Sequence, residues 1–211
     1  MAARLQTIFN RLSGRTTPDE ETPRNLPEGT PPALQGVPGL EWAWTADLRT
    51  RGAGGSLAPA SGSVVLPKVK LFHDGRAGEV TLPVARAGGF DLALSGFSGS
   101  FLSLVFDLPA EAVQGLRARH LIRLDTSLSG SEGLRAYARL NIRHGPNTEQ
   151  ITREVTAPAG VARVAEFDMF YVGLNEKRVE AAWIDLIFNP VADERIAITD
   201  LTVSRRPRAA L

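Results

Sequence analysis

Residues 134–143 read LRAYARLNIR, and their alternation decides the fold class. Leu134, Ala136, Ala138, Leu140 and Ile142 fall on one side of an extended chain; Arg135, Tyr137, Arg139, Asn141 and Arg143 fall on the other. Side chains of a strand alternate every residue, so this stretch predicts a sheet with one buried face and one polar face. The same period recurs outward in both directions. Candidate strands cover 41–46, 62–72, 77–84, 90–94, 100–107, 119–127, 133–143, 148–155, 161–171, 179–188 and 195–204, with turn signals such as Asp74-Gly75, Gly88-Gly89, Ser129-Gly130, Gly145-Pro146 and Asn189-Pro190 between them. No helical crossovers separate them, which points to an antiparallel sandwich or barrel. In 179–188, Ala182, Ile184, Leu186 and Phe188 alternate with Ala181, Trp183, Asp185 and Ile187. Being largely apolar on both sides, that strand is expected to be central, and 100–107 behaves likewise. Pro109 to Leu116 predicts one or two helical turns.

The chain has 211 residues, 43% of them apolar, with 24 Lys and Arg against 23 Asp and Glu. This length predicts roughly 9,500 Å² of folded surface against roughly 33,000 Å² unfolded, enough for a real core. There is no Cys, which excludes disulfides, thiol nucleophiles and thiolate metal sites, and only three His are present. A net charge of +1 gives no general attraction to nucleic acid. No apolar run reaches the length of a membrane span, and the first residues lack a signal-peptide pattern, so the expected location is cytoplasmic.

The composition divides the chain into residues 1–14, 15–39, 40–204 and 205–211. In the first, Leu5, Ile8, Phe9 and Leu12 fall on one face of a predicted amphipathic helix. A helix this short needs something to lie against. Six of the 14 prolines fall in 15–39, which predicts a linker, and Arg205-Arg206-Pro207-Arg208 lies in a basic tail. The apolar face of the helix is therefore expected to meet a protein partner, a second copy or its own domain, with a membrane surface the least favoured cover.

Two resemblances extend this reading. The run from Trp183 to Phe188, followed by Ile196 to Val203, resembles the closing strands of galactose-binding-like jelly rolls, to which many carbohydrate-binding modules belong. The resemblance implies an all-β, antiparallel β-sandwich of jelly-roll type. Gly96-Phe97-Ser98-Gly99-Ser100-Phe101, the stretches 138–150 and 174–179, and Arg205 to Arg208 resemble an uncharacterised family of small alphaproteobacterial proteins. That resemblance covers most of residues 40–211, leaves the N-terminal helix and linker outside, and implies no activity.

The motifs exclude more than they assign. There is no G-x-S-x-G, P-loop, dinucleotide fingerprint or H-E-x-x-H, so no catalytic residue, metal ligand or cofactor is expected. Asp125, Glu166, Asp168 and Asp185 are the carboxylates available for acid and base work across a sheet. Sugar binding is better supplied, because aromatic planes stack on sugar rings while Arg and Asn hydrogen-bond hydroxyls. The stripe Arg135, Tyr137, Arg139, Asn141 and Arg143 offers that mixture, Trp42 and Trp44 share a face, and Trp183 and Asp185 join the stripe if their side faces the same way. An ordinary solvated face, by contrast, makes Arg139 a plain surface residue whose loss costs under about 0.5 kcal/mol. The expected function is a non-catalytic module binding a glycan or acidic polysaccharide through the polar face. The alternative is a structural or adaptor protein that binds a protein partner through that face or the N-terminal helix. Nucleic acid is not an expected partner.

Overall fold

In a computed structural model of the chain, residues 34, 37–48, 57–83, 89–157, 163–189 and 191–208 are described. Their strands are β1 (Trp42–Thr45), β2 (Ser63–Leu66), β3 (Val69–His73), β4 (Val80–Thr81), β5 (Phe90–Leu94), β6 (Leu102–Asp107), β7 (His120–Ser129), β8 (Arg135–His144), β9 (Asn147–Glu154), β10 (Arg163–Asp168), β11 (Val179–Asn189) and β12 (Glu194–Pro207). They form two six-stranded antiparallel sheets. One has the order β10-β7-β12-β5-β4, with β1 also pairing β12; the other has the order β2-β3-β6-β11-β8-β9.

The faces follow the alternation. Ala136, Ala138, Leu140 and Ile142 of β8 are completely buried. Leu102, Leu104 and Phe106 of β6 and Ile184, Leu186 and Phe188 of β11 join them from neighbouring strands. The opposite sheet contributes Phe90, Leu92, Leu124, Phe167, Ile196, Ile198, Leu201 and Val203 to the same core. β11 is central, between β6 and β8, as its two apolar sides predict. Turn chemistry sets one register directly. His144 pairs Asn147 across Gly145-Pro146, and Gly145 supplies the positive φ of 60° that a two-residue hairpin needs at its first central position.

Jelly-roll closure is not found, and with it the likeness to galactose-binding-like jelly rolls falls. The two strands that carried it, β11 and β12, are interior strands of different sheets, and both sheets are open, ending at β2 and β9 and at β4 and β10. Within the described residues the helical component is also smaller than expected, with one 3-10 turn in the 109–116 stretch. No α-helix forms among the described residues; Ala110–Ala112 and Met169–Tyr171 are single 3-10 turns. The helix expected over 3–13, with Leu5, Ile8, Phe9 and Leu12, lies outside the described residues, as does most of 15–39. Among the described residues, no helix is long and apolar enough to cross a membrane.

This packing makes a direct prediction. Leu140→Ala should cost about 2–5 kcal/mol, the range for truncating a buried Leu, whereas Arg135→Ala, on an exposed residue, should cost under about 0.5 kcal/mol. Urea titrations of both variants check the assignment of faces.

Candidate functional site

The outer face of the β2-to-β9 sheet carries the candidate site. Strand pairing sets its side chains in rows across the sheet. Asp107, Trp183, Asn141 and Gln150 form one row, Lys70, Val105, Asp185, Arg139 and Thr152 the next, and Phe72, Ser103, Ile187, Tyr137 and Glu154 a third. The first row, the second as far as Arg139, and part of the third line an open groove of about 670 Å³. Its lining mixes the smaller side chains of Ser103, Val105 and Ala181 with the larger Phe72, Phe101, Trp183, Arg139 and Arg143.

A hydrogen-bonded chain forms the floor. Arg139 donates Nε to Asp185 Oδ2 at 2.7 Å, and its Nη2 lies 2.6 Å from the same oxygen. Asn141 Nδ2 donates to Asp185 Oδ2 at 3.1 Å, and Gln150 Nε2 donates to Asn141 Oδ1 at 2.9 Å. Asp185 is only 4% exposed and Asn141 only 1%, so these groups are matched to one another and largely withdrawn from water. Trp183 stands half-buried beside them. At the periphery, Lys70 Nζ reaches Asp107 Oδ2 at 3.1 Å, and Arg143 Nε reaches Glu180 Oε2 at 3.2 Å.

A second cluster holds Phe101 at the rim. The Asp74 carboxylate accepts the backbone N–H of Ser100, the N–H of Phe101 at 2.8 Å and the Ser100 hydroxyl. These bonds, the Ser100 N–H foremost, hold its pKa down at about 2. Glu79 accepts the N–H and hydroxyl of Ser98 and the N–H of Arg76, and its carboxyl is lowered too, by the Ser98 N–H first. Gly99 passes close enough to Asp74, the Phe97 ring and the Gly75 backbone that a Cβ there would collide with all three.

The structure separates the residues singled out from the sequence. Arg139, Asn141 and Arg143 line the groove, and Trp183 and Asp185 share their face. Tyr137 is half-buried and Arg135 exposed on the same face, beyond the groove lining. Trp42 and Trp44 lie on β1 in the other sheet; Trp42 is buried in the core, and Trp44 is partly buried against it. Asp125 and Glu166 are also on that sheet, where both meet Arg123, so neither pairs with Asp185 as acid and base. Asp168 meets Arg208, Arg206 meets Glu166, and Arg205 donates to the carbonyls of Ala112 and Gln114. Among the described residues, no group of three or more His, Asp or Glu is placed to hold a metal ion. Sequence reading missed Lys70, Phe72, Phe101, Asp107 and Gln150. Gln150 had a signal, since the Gly145-Pro146 turn already sets it opposite Asn141.

Residues 9–211 match the model of DUF6478, a family of unknown function. The chain belongs to that family. The match begins inside the N-terminal segment that the alphaproteobacterial resemblance left out, and the DUF6478 assignment replaces that resemblance. No curated protein matches the chain. Among solved structures, this DUF6478 chain is similar to the xyloglucanase domain of a type three effector, NopAA, from Sinorhizobium fredii, at 9% identity and a TM-score of 0.43, covering 72% of this chain and 98% of that one. It is also similar to the CBM22-1 xylan-binding domain of Paenibacillus barcinonensis Xyn10C, at 11% identity and a TM-score of 0.40, covering 79% and 95%. A family 11 carbohydrate-binding module from Clostridium thermocellum follows at 13% identity and a TM-score of 0.38, covering 72% and 96%. All three scores are below 0.5, and the fold described above rests on this chain's own strands.

Two outcomes are expected. Arg139→Ala leaves the buried Asp185 carboxylate without its cation and should cost about 1–3 kcal/mol, more than a plain surface residue; denaturant midpoints of the variant and the parent measure it. The Asp74 carboxyl is lowered in the folded state, so its contribution is present above 3.8 and is lost as pH falls towards about 2. Asp74→Asn should therefore flatten the fall in stability across that window, as read by urea titrations at successive pH values.

Proposed function

We propose that the chain is a non-catalytic binding module that takes a glycan in the groove of the β2-to-β9 sheet. One observation carries this reading: the half-buried indole of Trp183 stands beside a floor of amide, carboxylate and guanidinium groups in an open groove of about 670 Å³. An aromatic plane next to fixed hydrogen-bonding groups matches a sugar ring, which has an apolar face and a rim of hydroxyls. Phe72 and Phe101 add apolar surface at the β3 and β6 side. Acid–base work is poorly served there, because Asp107 and Asp185, the two carboxylates that line the groove, are each held by a cation.

The floor is prearranged for this role. Asn141 is fixed by Gln150 on one side and Asp185 on the other, so little side-chain freedom remains to be lost on binding. The groove crosses five strands, a span of about 19 Å at the usual inter-strand spacing, which suits an oligosaccharide rather than a single sugar.

Affinity electrophoresis through gels containing soluble polysaccharides tests the reading. The parent protein should be retarded by at least one of them. Trp183→Ala should run unretarded with an unchanged far-ultraviolet circular dichroism spectrum, and Trp44→Ala, on the other sheet, should be retarded like the parent.

A further inference from the structure

The charges around the groove say which class of glycan it takes, an inference that rests on the binding reading above. Lys70, Arg139 and Arg143 are the cations of the lining, and each has a carboxylate of its own. Lys70 meets Asp107 at 3.1 Å, Arg139 meets Asp185 at 2.6 Å, and Arg143 meets Glu180 at 3.2 Å. Arg139 commits both Nε and Nη2 to Asp185. Sites that recognise carboxylate or phosphate groups instead present Arg or Lys free for bidentate or point-charge contact. An acidic polymer laid in this groove would bring its own carboxylates close to Asp107, Asp185 and Glu180, which already neutralise the cations it would meet.

We infer that the groove selects a neutral glycan chain and rejects uronate polymers, with Asp107, Asp185 and Glu180 setting that selectivity. The hydroxyls of a neutral sugar accept from the outer edges of guanidinium groups and donate to carboxylate oxygens without breaking the pairs. The balanced charge also leaves the face with no net field to steer an anion towards it. The acidic-polysaccharide alternative expected from the arginine stripe is therefore disfavoured, because Asp185 and Glu180, which pair with Arg139 and Arg143, sit on the adjoining strand β11.

Asp107 and Glu180 are both nearly half exposed, so each can be neutralised with little effect on the fold. Affinity electrophoresis of the full chain is run with mixed-linkage β-glucan, xylan and galactomannan as neutral probes, and with polygalacturonate and alginate as acidic probes. The parent should be retarded by a neutral polymer and not by either acidic one. Retardation should change by less than about twofold between low and high salt, because no net charge is neutralised on binding. The double variant D107N/E180Q, with Lys70 and Arg143 released, should gain salt-sensitive retardation by polygalacturonate. Parent retardation by an acidic polymer alone, or retardation lost at high salt, overturns the neutral class while leaving the groove as a glycan site. Failure of the double variant to gain acidic binding overturns the role of the carboxylates. No retardation by any of the five polymers overturns the glycan reading itself, and this inference with it.

Discussion

The carboxylate of Asp185 is the constraint on which the site and its sheet both depend. It sits on an interior strand, β11, and is 4% exposed, where an unmatched charge would be costly. Arg139 stands directly opposite on β8, and Asn141 and Gln150 extend the match to β9. A one-residue slip of β11 against β8 would turn Asp185 into the core among Leu140 and Ile142 and bring Ile184 and Leu186 out. The polar chain therefore fixes the same register that the apolar face demands. Three neighbouring strands are held at one offset by two independent requirements.

The groove itself follows from side-chain size on a sheet whose inner face is fully covered. Leu104 and Phe106 on β6, and Ile184 and Leu186 on β11, leave the inner side no freedom, so the groove is confined to the outer residues of the same strands. Ser103, Val105 and Ala181 leave room in the lining, which aromatic and guanidinium groups share with them. The floor is rigid because its amides are already bonded, and the periphery is exposed because its ion pairs are at the surface.

The sequence made the faces legible but not the partners. Alternation in 134–143 and 179–188 identified which side chains point inward, and the apolar character of β11 on both sides marked it as interior. Strand order was out of reach, because β3, β6, β11 and β8 come together over long separations with no local signal. For the same reason, Lys70, Phe72 and Asp107 could not be joined to Trp183 and Arg139. Arg139 and Asn141 read as solvated polar residues because burial by a neighbour's carboxylate leaves no mark on the strand's own period. Trp42 and Trp44 share a face, as spacing requires, but β1 pairs with β12 on the other sheet. Jelly-roll closure failed in the same way: the apolar pattern of the last two strands is that of any buried strand, and says nothing of which sheet each joins.

The end of the sandwich near Asp74 links this face to the core. Asp74 and Glu79 gather the 95–101 connection by accepting its N–H groups, and the Phe97 N–H donates to the Ala192 carbonyl at 2.8 Å. Phe97 is buried in the core while Phe101, four residues on, is exposed at the groove. One connection thus anchors an aromatic inside and presents another outside, and two carboxylates hold it in that shape. Small residues at Gly99 and Gly75 are what allow the chains to approach closely enough for these bonds. The position of Phe101 at the rim is therefore set by backbone hydrogen bonds to Asp74 rather than by contact with its own sheet alone. The Gly-Phe-Ser-Gly-Ser-Phe stretch is the local sequence that this geometry requires.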